Sequence, residues 1–399
     1  MNQATLDFIR KHAETDVRQL ALQGTKNPEV DLPFALDQIA GRQKAKSKLP
    51  SWAAIDGIIY PPHLSMEQCS SEQTALYKAN IAKKDTEVPD PFVSFVDLTG
   101  GFGVDTAFVS QDFQRAVYVE QQASLCAISS ENFRLLGLNH IEVVCADGVD
   151  YLHQLDHADL IYIDPARRDN HGGRTYGIAD CTPNVLELRD ELLQKADRVM
   201  LKLSPMLDWR KAVEDLGNVS EVHIVSVDNE CKELLLILTK DKKPLKLFCV
   251  NNNQVFDGVT EGRFFCDTAG DVTKEPSLCY TYLFEPNASI MKAGCFALLE
   301  QRFKVSQLDK NSHLFVFDRD ISDFPGRRFI IEKTTSMNKR ELKAALTGIE
   351  KANITVRNFP LSVAELRKRL KLKEGGDLYL FATTIASHQH QLFLCRKIE

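Results

Sequence analysis

The stretch "VDLTGGFGVDTAF", residues 96–108, decides the fold prediction because it joins an apolar strand to a helix through a glycine-rich turn. The preceding run "FVSFVDL" indicates a buried strand. Gly100, Gly101 and Gly103 let the backbone turn sharply and let a ligand approach where a side chain would intrude. Such a turn is typical of nucleotide-cofactor sites, although the same pattern also occurs as an ordinary turn.

Strands alternate with helices from this point to about residue 240, which predicts a mostly parallel, doubly wound α/β sheet. The predicted strands are "FVSFVDL", "AVYVE", "IEVVCAD", "LIYID", "RVMLKLS", "EVHIVSV" and "KELLLILT". Amphipathic helices are predicted at "QASLCAISSENFRLLG" and "PNVLELRDELLQKA". The segment "SVDNECKEL" predicts a hairpin, so that the final strand runs antiparallel.

The chain of 399 residues divides by pattern into four segments. Residues 1–88 are helical, with helices predicted at "TLDFIRKHAETDVRQLALQ", "LPFALDQIAGRQKAKSKL" and "SSEQTALYKANIAKK", and they end in a linker, "DTEVPDPF". Residues 89–240 hold the alternating sheet. Residues 241–323 contain a linker and a small strand–helix–strand domain, and residues 324–399 predict a compact α+β domain.

Charge is distributed unevenly along the chain, which has a net charge of −6. Residues 324–399 carry 15 Lys and Arg against 7 Asp and Glu, a net charge of +8, which leaves −14 for residues 1–323. A basic carboxyl-terminal domain on an acidic body predicts that a polyanion such as nucleic acid binds at this end.

Composition excludes several classes of protein. With 44% hydrophobic and 26% charged residues, the chain is typical of globular proteins. It has neither a signal-peptide pattern nor an apolar run long enough for a membrane span, so we expect a cytoplasmic protein. The ten cysteines form no C-x-x-C pair, and His388 and His390 stand without a nearby Cys or acid, so no metal site is predicted.

Three acids follow the predicted strands in order: Glu120, Asp147 and Asp164, the last in "LIYIDPARRDN". Acids often end strands simply as soluble turn residues. However, open α/β sheets bind ligands at the carboxyl ends of their strands. Glu120 is placed to accept the hydroxyl groups of a ribose, and Asp147 to accept from an adenine amino group. The ordered set after consecutive strands favours a nucleoside-bearing ligand.

Two positions distinguish between possible cofactors. Thr106 stands where the dinucleotide fingerprint has its third glycine, which argues against NAD. Asp97 ends the first strand directly before the turn, where a carboxylate can bind the cationic amino-acid part of S-adenosylmethionine. Together they favour S-adenosylmethionine.

Residues 92–240 resemble a class I S-adenosylmethionine-dependent methyltransferase, which implies a Rossmann-like sheet. "DLTGGFGVD" resembles the first motif, Glu120 the ribose acid, Asp147 the adenine-side acid and "DPAR" the fourth motif. The resemblance implies these cofactor-binding residues: Asp97, Thr99, Gly100, Gly101, Gly103, Asp105, Glu120 and Asp147. "EQCSSEQTALYKA", "YLFEPNASIMKAG" and the basic tail resemble a bacterial family with added ferredoxin-like and THUMP-like domains.

The fourth motif of amine methyltransferases reads Asp or Asn, Pro, Pro and an aromatic residue. Its acid or amide, with a backbone carbonyl, accepts hydrogen bonds from an amine and aligns the nitrogen for methyl transfer. Asp164 and Pro165 fit this motif, whereas Ala166 and Arg167 replace the second proline and the aromatic. A guanidinium can stack on a base or contact a phosphate, so Arg167 is a candidate helper, and a solvated loop is the alternative.

Pyrimidine C5 methylation is disfavoured, because it needs a cysteine nucleophile and "VMLKLSPMLDW" has none after the fifth strand. THUMP domains bind RNA, and "ELRKRLKLK" (residues 365–373) supplies cations for such a surface. We therefore expect a methyltransferase acting on a base nitrogen of a structured RNA, with RNA bound through residues 324–399 and the amino-terminal helices closing over the site. Two alternatives remain: a methyltransferase of protein or small molecules, and a non-catalytic RNA-binding protein with this fold.

Overall fold

The computed structural model describes residues 2–83, 93–167, 177–259, 280–385 and 388–398. The predicted linker at residues 85–92 and Arg168 lie outside these ranges. Two compact units make up the chain. The first is Met1–Ser220 with Leu234–Lys243, and the second is Glu221–Glu233 with Pro244–Glu399.

Helices open the first unit, and capping side chains set where several of them begin. These helices are α1 (Gln3–Lys11), α2 (Val17–Gln23), α3 (Leu32–Lys48), α4 (Pro50–Ala53), α5 (His63–Gln68) and α6 (Glu72–Lys83). The first predicted helix is in fact two, because the Asp16 carboxylate accepts the Gln19 N–H and starts α2. The Ser71 hydroxyl accepts the Thr74 N–H at 3.2 Å and starts α6.

The sheet of the first unit is built from the predicted strands. Its strands are β1 (Ser94–Asp97), β2 (Arg115–Glu120), β3 (Ile141–Cys145), β4 (Ala158–Ile163) and β7 (Ala196–Leu203), and β5 (Ala166–Arg167) pairs apart with β6 (Cys181–Thr182). Parallel pairing gives the order β7-β4-β1-β2-β3. After β8 (Val219–Val227), β9 (Glu230–Thr239) runs antiparallel beside β7, which confirms the hairpin prediction.

Helices connect these strands and cover the sheet. They are α7 (Val104–Val109), α8 (Ala123–Leu135), α9 (Gly148–Gln154), α10 (Val185–Lys195) and α11 (Trp209–Leu216), with 3-10 turns at Ser110–Asp112 and Ile178–Asp180. The central strands β1, β2 and β4 are almost wholly buried, as expected of parallel strands with both faces covered. Because the strands are parallel, the predicted acids at their carboxyl ends share one edge of the sheet.

The second unit combines a short strand group with a seven-stranded sheet. The group has the order β11-β10-β8, with β10 (Lys246–Asn251) and β11 (Gln254–Val259). The sheet has the order β13-β14-β12-β15-β18-β17-β16. Its strands are β12 (Tyr282–Pro286), β13 (Ser306–Gln307), β14 (Phe315–Phe317), β15 (Gly326–Ser336), β16 (Asn353–Arg357), β17 (Leu378–Thr384) and β18 (His390–Lys397). Its helices are α12 (Ala288–Ala293), α13 (Phe296–Phe303), α14 (Lys339–Ala345) and α15 (Val363–Leu370).

The seven-stranded sheet joins both predicted carboxyl-terminal segments, because β12 pairs antiparallel with β15. Glu285 on β12 is 4% exposed and forms ion pairs with Arg327 and Arg357. These two guanidinium groups satisfy a carboxylate that would otherwise be costly to bury. Throughout the described ranges no helix has the length and apolar character of a membrane span.

Candidate functional site

The glycine turn crosses the carboxyl end of β1 and opens α7. Gly101 (φ +55°) and Gly103 (φ +80°) adopt the left-handed backbone that favours glycine. A Cβ on Gly100 would lie 2.2 Å from the Tyr118 ring. A Cβ on Gly101 would meet, among the described residues, nothing nearer than the Thr99 carbonyl oxygen at 3.8 Å. The turn is therefore packed against β2 on one side and open at Gly101, where a ligand can approach the backbone.

Asp97 lies beneath this turn and is 1% exposed. Its Oδ1 accepts the Thr99 N–H at 2.9 Å, and its Oδ2 accepts the Thr106 hydroxyl at 2.6 Å. Burial raises the pKa of Asp97 to about 7, against the opposing effect of these two hydrogen bonds. Asp97 therefore braces the turn, and its predicted contact with a cofactor stays a prediction.

Glu120 ends β2, and Asp147 follows β3. The carboxylate of each accepts hydrogen bonds from nearby backbone N–H groups. The Glu120 carboxylate accepts the Gly101 N–H at 3.0 Å and the Gln122 N–H at 2.8 Å. Asp147 is exposed and caps α9, since its Oδ1 accepts the Val149 N–H at 2.8 Å. A carboxylate oxygen can accept more than one hydrogen bond, so these contacts leave acceptor capacity for a ligand.

Asp164 is linked directly to the glycine turn. Its backbone N–H donates to the Thr99 hydroxyl oxygen at 2.7 Å, which ties the end of β4 to the end of β1. The Asp164 side chain is 36% exposed, and its Oδ2 lies 2.5 Å from Nζ of Lys202 on β7. Pro165, the next residue, is buried. The predicted acceptor acid and the predicted cofactor turn are therefore one hydrogen bond apart.

The predicted loop after Pro165 begins as a two-residue strand. Ala166 and Arg167 form β5 and pair with Thr182 and Cys181 of β6. The Arg167 side chain lies outside the described part of the structure, so its role as a helper stays a prediction.

Asp105 on α7 lies in a buried polar network with partners from other elements. Its carboxylate accepts the hydroxyls of Ser70 at 2.8 Å and Tyr162 at 2.7 Å. Nζ of Lys78, a fully buried residue on α6, lies 3.1 Å from its other oxygen. Burial would raise the pKa of Asp105, but the ammonium groups of Lys78 and Lys202, together with the hydrogen bonds from Tyr162 and Ser70, outweigh burial and lower it. Oδ2 accepts both hydroxyls, whereas Oδ1 has the ion pair with Lys78 but no hydrogen-bond donor among the described residues, and a cofactor contact for Asp105 stays a prediction.

The amino-terminal helices and their connections pack against the same turn. The Phe102 ring lies 5.1 Å from the Trp52 ring and 6.5 Å from the Tyr60 ring, centroid to centroid. The Asn132 side chain on α8 exchanges hydrogen bonds with the backbone N–H and C=O of Ile59, at 2.9 and 2.8 Å. These contacts fix residues before the sheet domain directly beside the predicted cofactor site.

Sequence reasoning missed three residues that shape the site. Lys202 pairs with Asp164, and Lys78 pairs with Asp105, across long sequence separations. The only signal in the sequence was that each lysine stands among the apolar residues of a predicted strand or helix. Gly148 was also missed: a Cβ there would lie 2.1 Å from the Leu98 carbonyl oxygen. Its position directly after the predicted acid Asp147 was the available signal.

The basic tail presents most of its predicted cations to solvent. Arg367 on α15 is half-buried and donates to the Ala352 carbonyl at 3.1 Å. The remaining cations of "ELRKRLKLK" are exposed: Lys368, Arg369, Lys371 and Lys373.

Known proteins share this architecture. Residues 282–325 match a family described as a ferredoxin-like domain, and residues 326–397 match one described as THUMP domain-like. The crystal structure of a candidate methyltransferase from Porphyromonas gingivalis W83 has 30% sequence identity and a TM-score of 0.83, covering 99% of this chain and 98% of that one.

Relatives with an assigned cofactor class also match. An uncharacterised S-adenosylmethionine-dependent methyltransferase of Mycobacterium tuberculosis, from strains CDC 1551 and H37Rv, is 24% identical over 299 residues. That match covers 73% of this chain and 77% of the relative. Together with the near-complete match to the Porphyromonas structure, it confirms the Rossmann-like fold and the resemblance drawn from sequence. The chain belongs to the S-adenosylmethionine-dependent methyltransferases that carry ferredoxin-like and THUMP-like domains at the carboxyl-terminal end.

Proposed function

We propose that this protein transfers the methyl group of S-adenosylmethionine to a base nitrogen of a structured RNA. The observation that carries the proposal is the 2.7 Å hydrogen bond from the Asp164 N–H to the Thr99 hydroxyl. It holds an acceptor-binding acid against the turn that would bind the cofactor. Methyl transfer depends mainly on such alignment, because positioning the reacting groups removes much of the barrier.

The residues at the turn fit the cofactor chemically. The open face at Gly101 admits a ligand to the backbone, and the carboxylates of Glu120 and Asp147 are acceptors for ribose hydroxyls and an adenine amino group. Asp97 supplies a buried carboxylate near the place where the amino-acid part of S-adenosylmethionine would bind. When bound, the cofactor supplies an electrophilic methyl group on a sulfonium.

Asp164 and Pro165 would orient the acceptor. The partly exposed Asp164 carboxylate accepts a hydrogen bond from an amine N–H, which directs the nitrogen lone pair toward the methyl carbon. The nitrogen then forms the new bond with this lone pair, the electrons of the sulfur–carbon bond stay on sulfur, and the surplus N–H proton passes to water. These steps need no general base from the protein.

RNA as the substrate rests on the second unit. Lys368, Arg369, Lys371 and Lys373 present exposed cations on and directly after α15, within the residues that match the THUMP domain-like family. Lysine and arginine side chains bind phosphates and release counterions, which favours polyanions over small neutral substrates. Arg167 remains the candidate for contact with the base or a phosphate.

The test is transfer of a labelled methyl group from S-adenosylmethionine to total bacterial RNA from cells that lack this protein. We expect label in RNA with wild type and a loss of about a hundredfold with Asp164→Ala, since misplacing an aligned group has effects of this size. Asp190→Ala is the matched control, because Asp190 is an acid of the same unit whose side chain is 83% exposed. Equal rates for Asp164→Ala and wild type would contradict the proposal.

The same assay separates the alternatives. Label in protein or small molecules, with none in RNA, would assign another acceptor class. Cofactor and RNA binding without any transfer would identify a non-catalytic RNA-binding protein, the reading favoured by Ala166 and Arg167 in place of the proline and aromatic.

A further inference from the structure

Lys202 lies in the middle of the site, although sequence reasoning gave it no role. It stands near the carboxyl end of β7, next to β4 in the sheet, and its side chain is only 12% exposed. Nζ lies 2.5 Å from Oδ2 of Asp164, a charge-assisted hydrogen bond. No other described residue donates a hydrogen bond to the Asp164 carboxylate, whose Oδ1 thus remains available.

We propose that Lys202 is a positioning residue of the methyl-acceptor site, which holds the Asp164 carboxylate by Oδ2 and reserves Oδ1 for one N–H of the acceptor. This inference rests on the proposed function. An unrestrained aspartate would rotate between rotamers and offer either oxygen, whereas the ion pair fixes one orientation. Lys202 would then affect the rate of methyl transfer through the position of Asp164, without touching the acceptor itself.

The surroundings hold Lys202 in place. The pKa of Asp105 is lowered by Lys78 and Lys202 despite burial, which places the Lys202 ammonium within the field of a second carboxylate. Asp105 is itself fixed by Ser70, Tyr162 and Lys78. A lysine that is paired with Asp164, attracted by a second carboxylate and only 12% exposed has little freedom, so it can serve as a fixed support for Asp164.

The arrangement also selects the acceptor. A carboxylate oxygen only accepts hydrogen bonds, so the acceptor atom must carry a hydrogen that points at Oδ1. The exocyclic amino group of a base meets this requirement, and its second hydrogen is free for a backbone carbonyl. A ring nitrogen without hydrogen, such as adenine N1, presents a lone pair to Oδ1 and is repelled. Ring N–H groups such as guanine N1 also carry a hydrogen, but they must lose it, the only one that Oδ1 could bind, before the nitrogen is methylated, whereas an exocyclic amine has two hydrogens. The inferred substrate is therefore an exocyclic amine of an RNA base.

The experiment compares Lys202→Met and Lys202→Arg in the full-length protein with Lys211→Met. Lys211 is the matched control, because its side chain is 62% exposed and forms an ion pair with Asp215 at 3.1 Å on α11. We expect Lys202→Met to lower kcat for RNA methylation about tenfold to a hundredfold, with the cofactor Kd unchanged, and Lys202→Arg to recover part of the loss. The methylated nucleoside, identified by mass spectrometry, should carry the label on an exocyclic nitrogen. Label on a ring nitrogen would overturn the acceptor assignment.

A double-mutant cycle tests whether Lys202 acts through Asp164. In an Asp164→Asn background, Lys202→Met should have little further effect, because the group that it positions is already altered. Independent, additive losses would overturn the inference while leaving the methyltransferase proposal intact.

A crystal structure of Lys202→Met gives a readout that needs no acceptor. The Asp164 side chain should leave its wild-type rotamer, and an unmoved carboxylate would overturn the positioning role. If wild type labels no RNA, the proposed function fails, and the crystallographic result still decides whether Lys202 fixes Asp164.

Discussion

Asp97 makes the stability of the protein depend on pH. Its pKa rises from an ordinary 3.8 to about 7 in the folded state because the group is buried. Between pH 3.8 and about pH 7, the Asp97 carboxyl group is deprotonated in the unfolded chain but protonated in the folded chain. Folding stability therefore falls as pH rises from about 4 to 7, and the contribution is constant above that range.

Asp97→Asn should remove this dependence. We expect the free energy of unfolding of wild type, relative to the variant, to fall by up to about 1.4 kcal/mol for each pH unit between pH 5 and 7. Urea unfolding at pH 5, 6, 7 and 8 measures it, with Asp190→Asn as the exposed control. Parallel curves for wild type and Asp97→Asn would show that Asp97 is not protonated in the folded state.

At the scale of elements, a buried lysine and an arginine of the sheet help to attach α6 to the sheet domain. Lys78 is fully buried against Asp105, and Arg198 at the start of β7 donates to the Ile81 and Ala82 carbonyls at the end of the same helix. A buried ion pair adds little net stability, but removing one partner leaves a buried charge uncompensated.

Lys78→Met should therefore destabilise the protein by about 3 kcal/mol or more. Lys83→Met is the control on the same helix, where an exposed pair with Asp112 at 3.0 Å contributes at most about 1 kcal/mol. Chemical unfolding of the two variants measures the difference. Equal stabilities would mean that Asp105 finds sufficient compensation from Ser70 and Tyr162. Adding Asp105→Asn to Lys78→Met should restore part of the loss.

The elements of the first unit could be predicted because their signals are local. Apolar strand runs, the glycine turn and the acids at strand ends all lie within short windows of sequence. The break at Asp16 was missed because helical spacing continues across it, and only the cap reveals the new helix. The pairs of Lys202 with Asp164 and Lys78 with Asp105 could not be predicted, since each joins residues brought together only by the sheet. The pairing of β12 with β15 across the predicted domain boundary is long-range in the same way.

At the scale of the whole molecule, the basic charge of residues 324–399 should govern RNA affinity without altering the cofactor site. We expect Lys368→Ala/Arg369→Ala to weaken RNA binding and to reduce the slope of log K against log salt by about 0.7 to 0.9 for each phosphate that the variant no longer neutralises. Filter binding across a KCl series measures the slope. Lys242→Ala/Lys243→Ala, which removes two exposed cations from the first unit, serves as control. An unchanged slope in the Lys368→Ala/Arg369→Ala variant would place the RNA elsewhere.

The hydrogen bond between the Asp164 N–H and the Thr99 hydroxyl has a thermodynamic consequence. A ligand that orders the glycine turn also orders the acceptor acid. The protein therefore loses less conformational entropy when the second ligand binds. Cooperativity of this kind is reciprocal: S-adenosylmethionine should raise the affinity for RNA by the same factor by which RNA raises the affinity for S-adenosylmethionine. Titrations of each ligand with and without the other measure that factor, and Thr99→Val should bring it toward one.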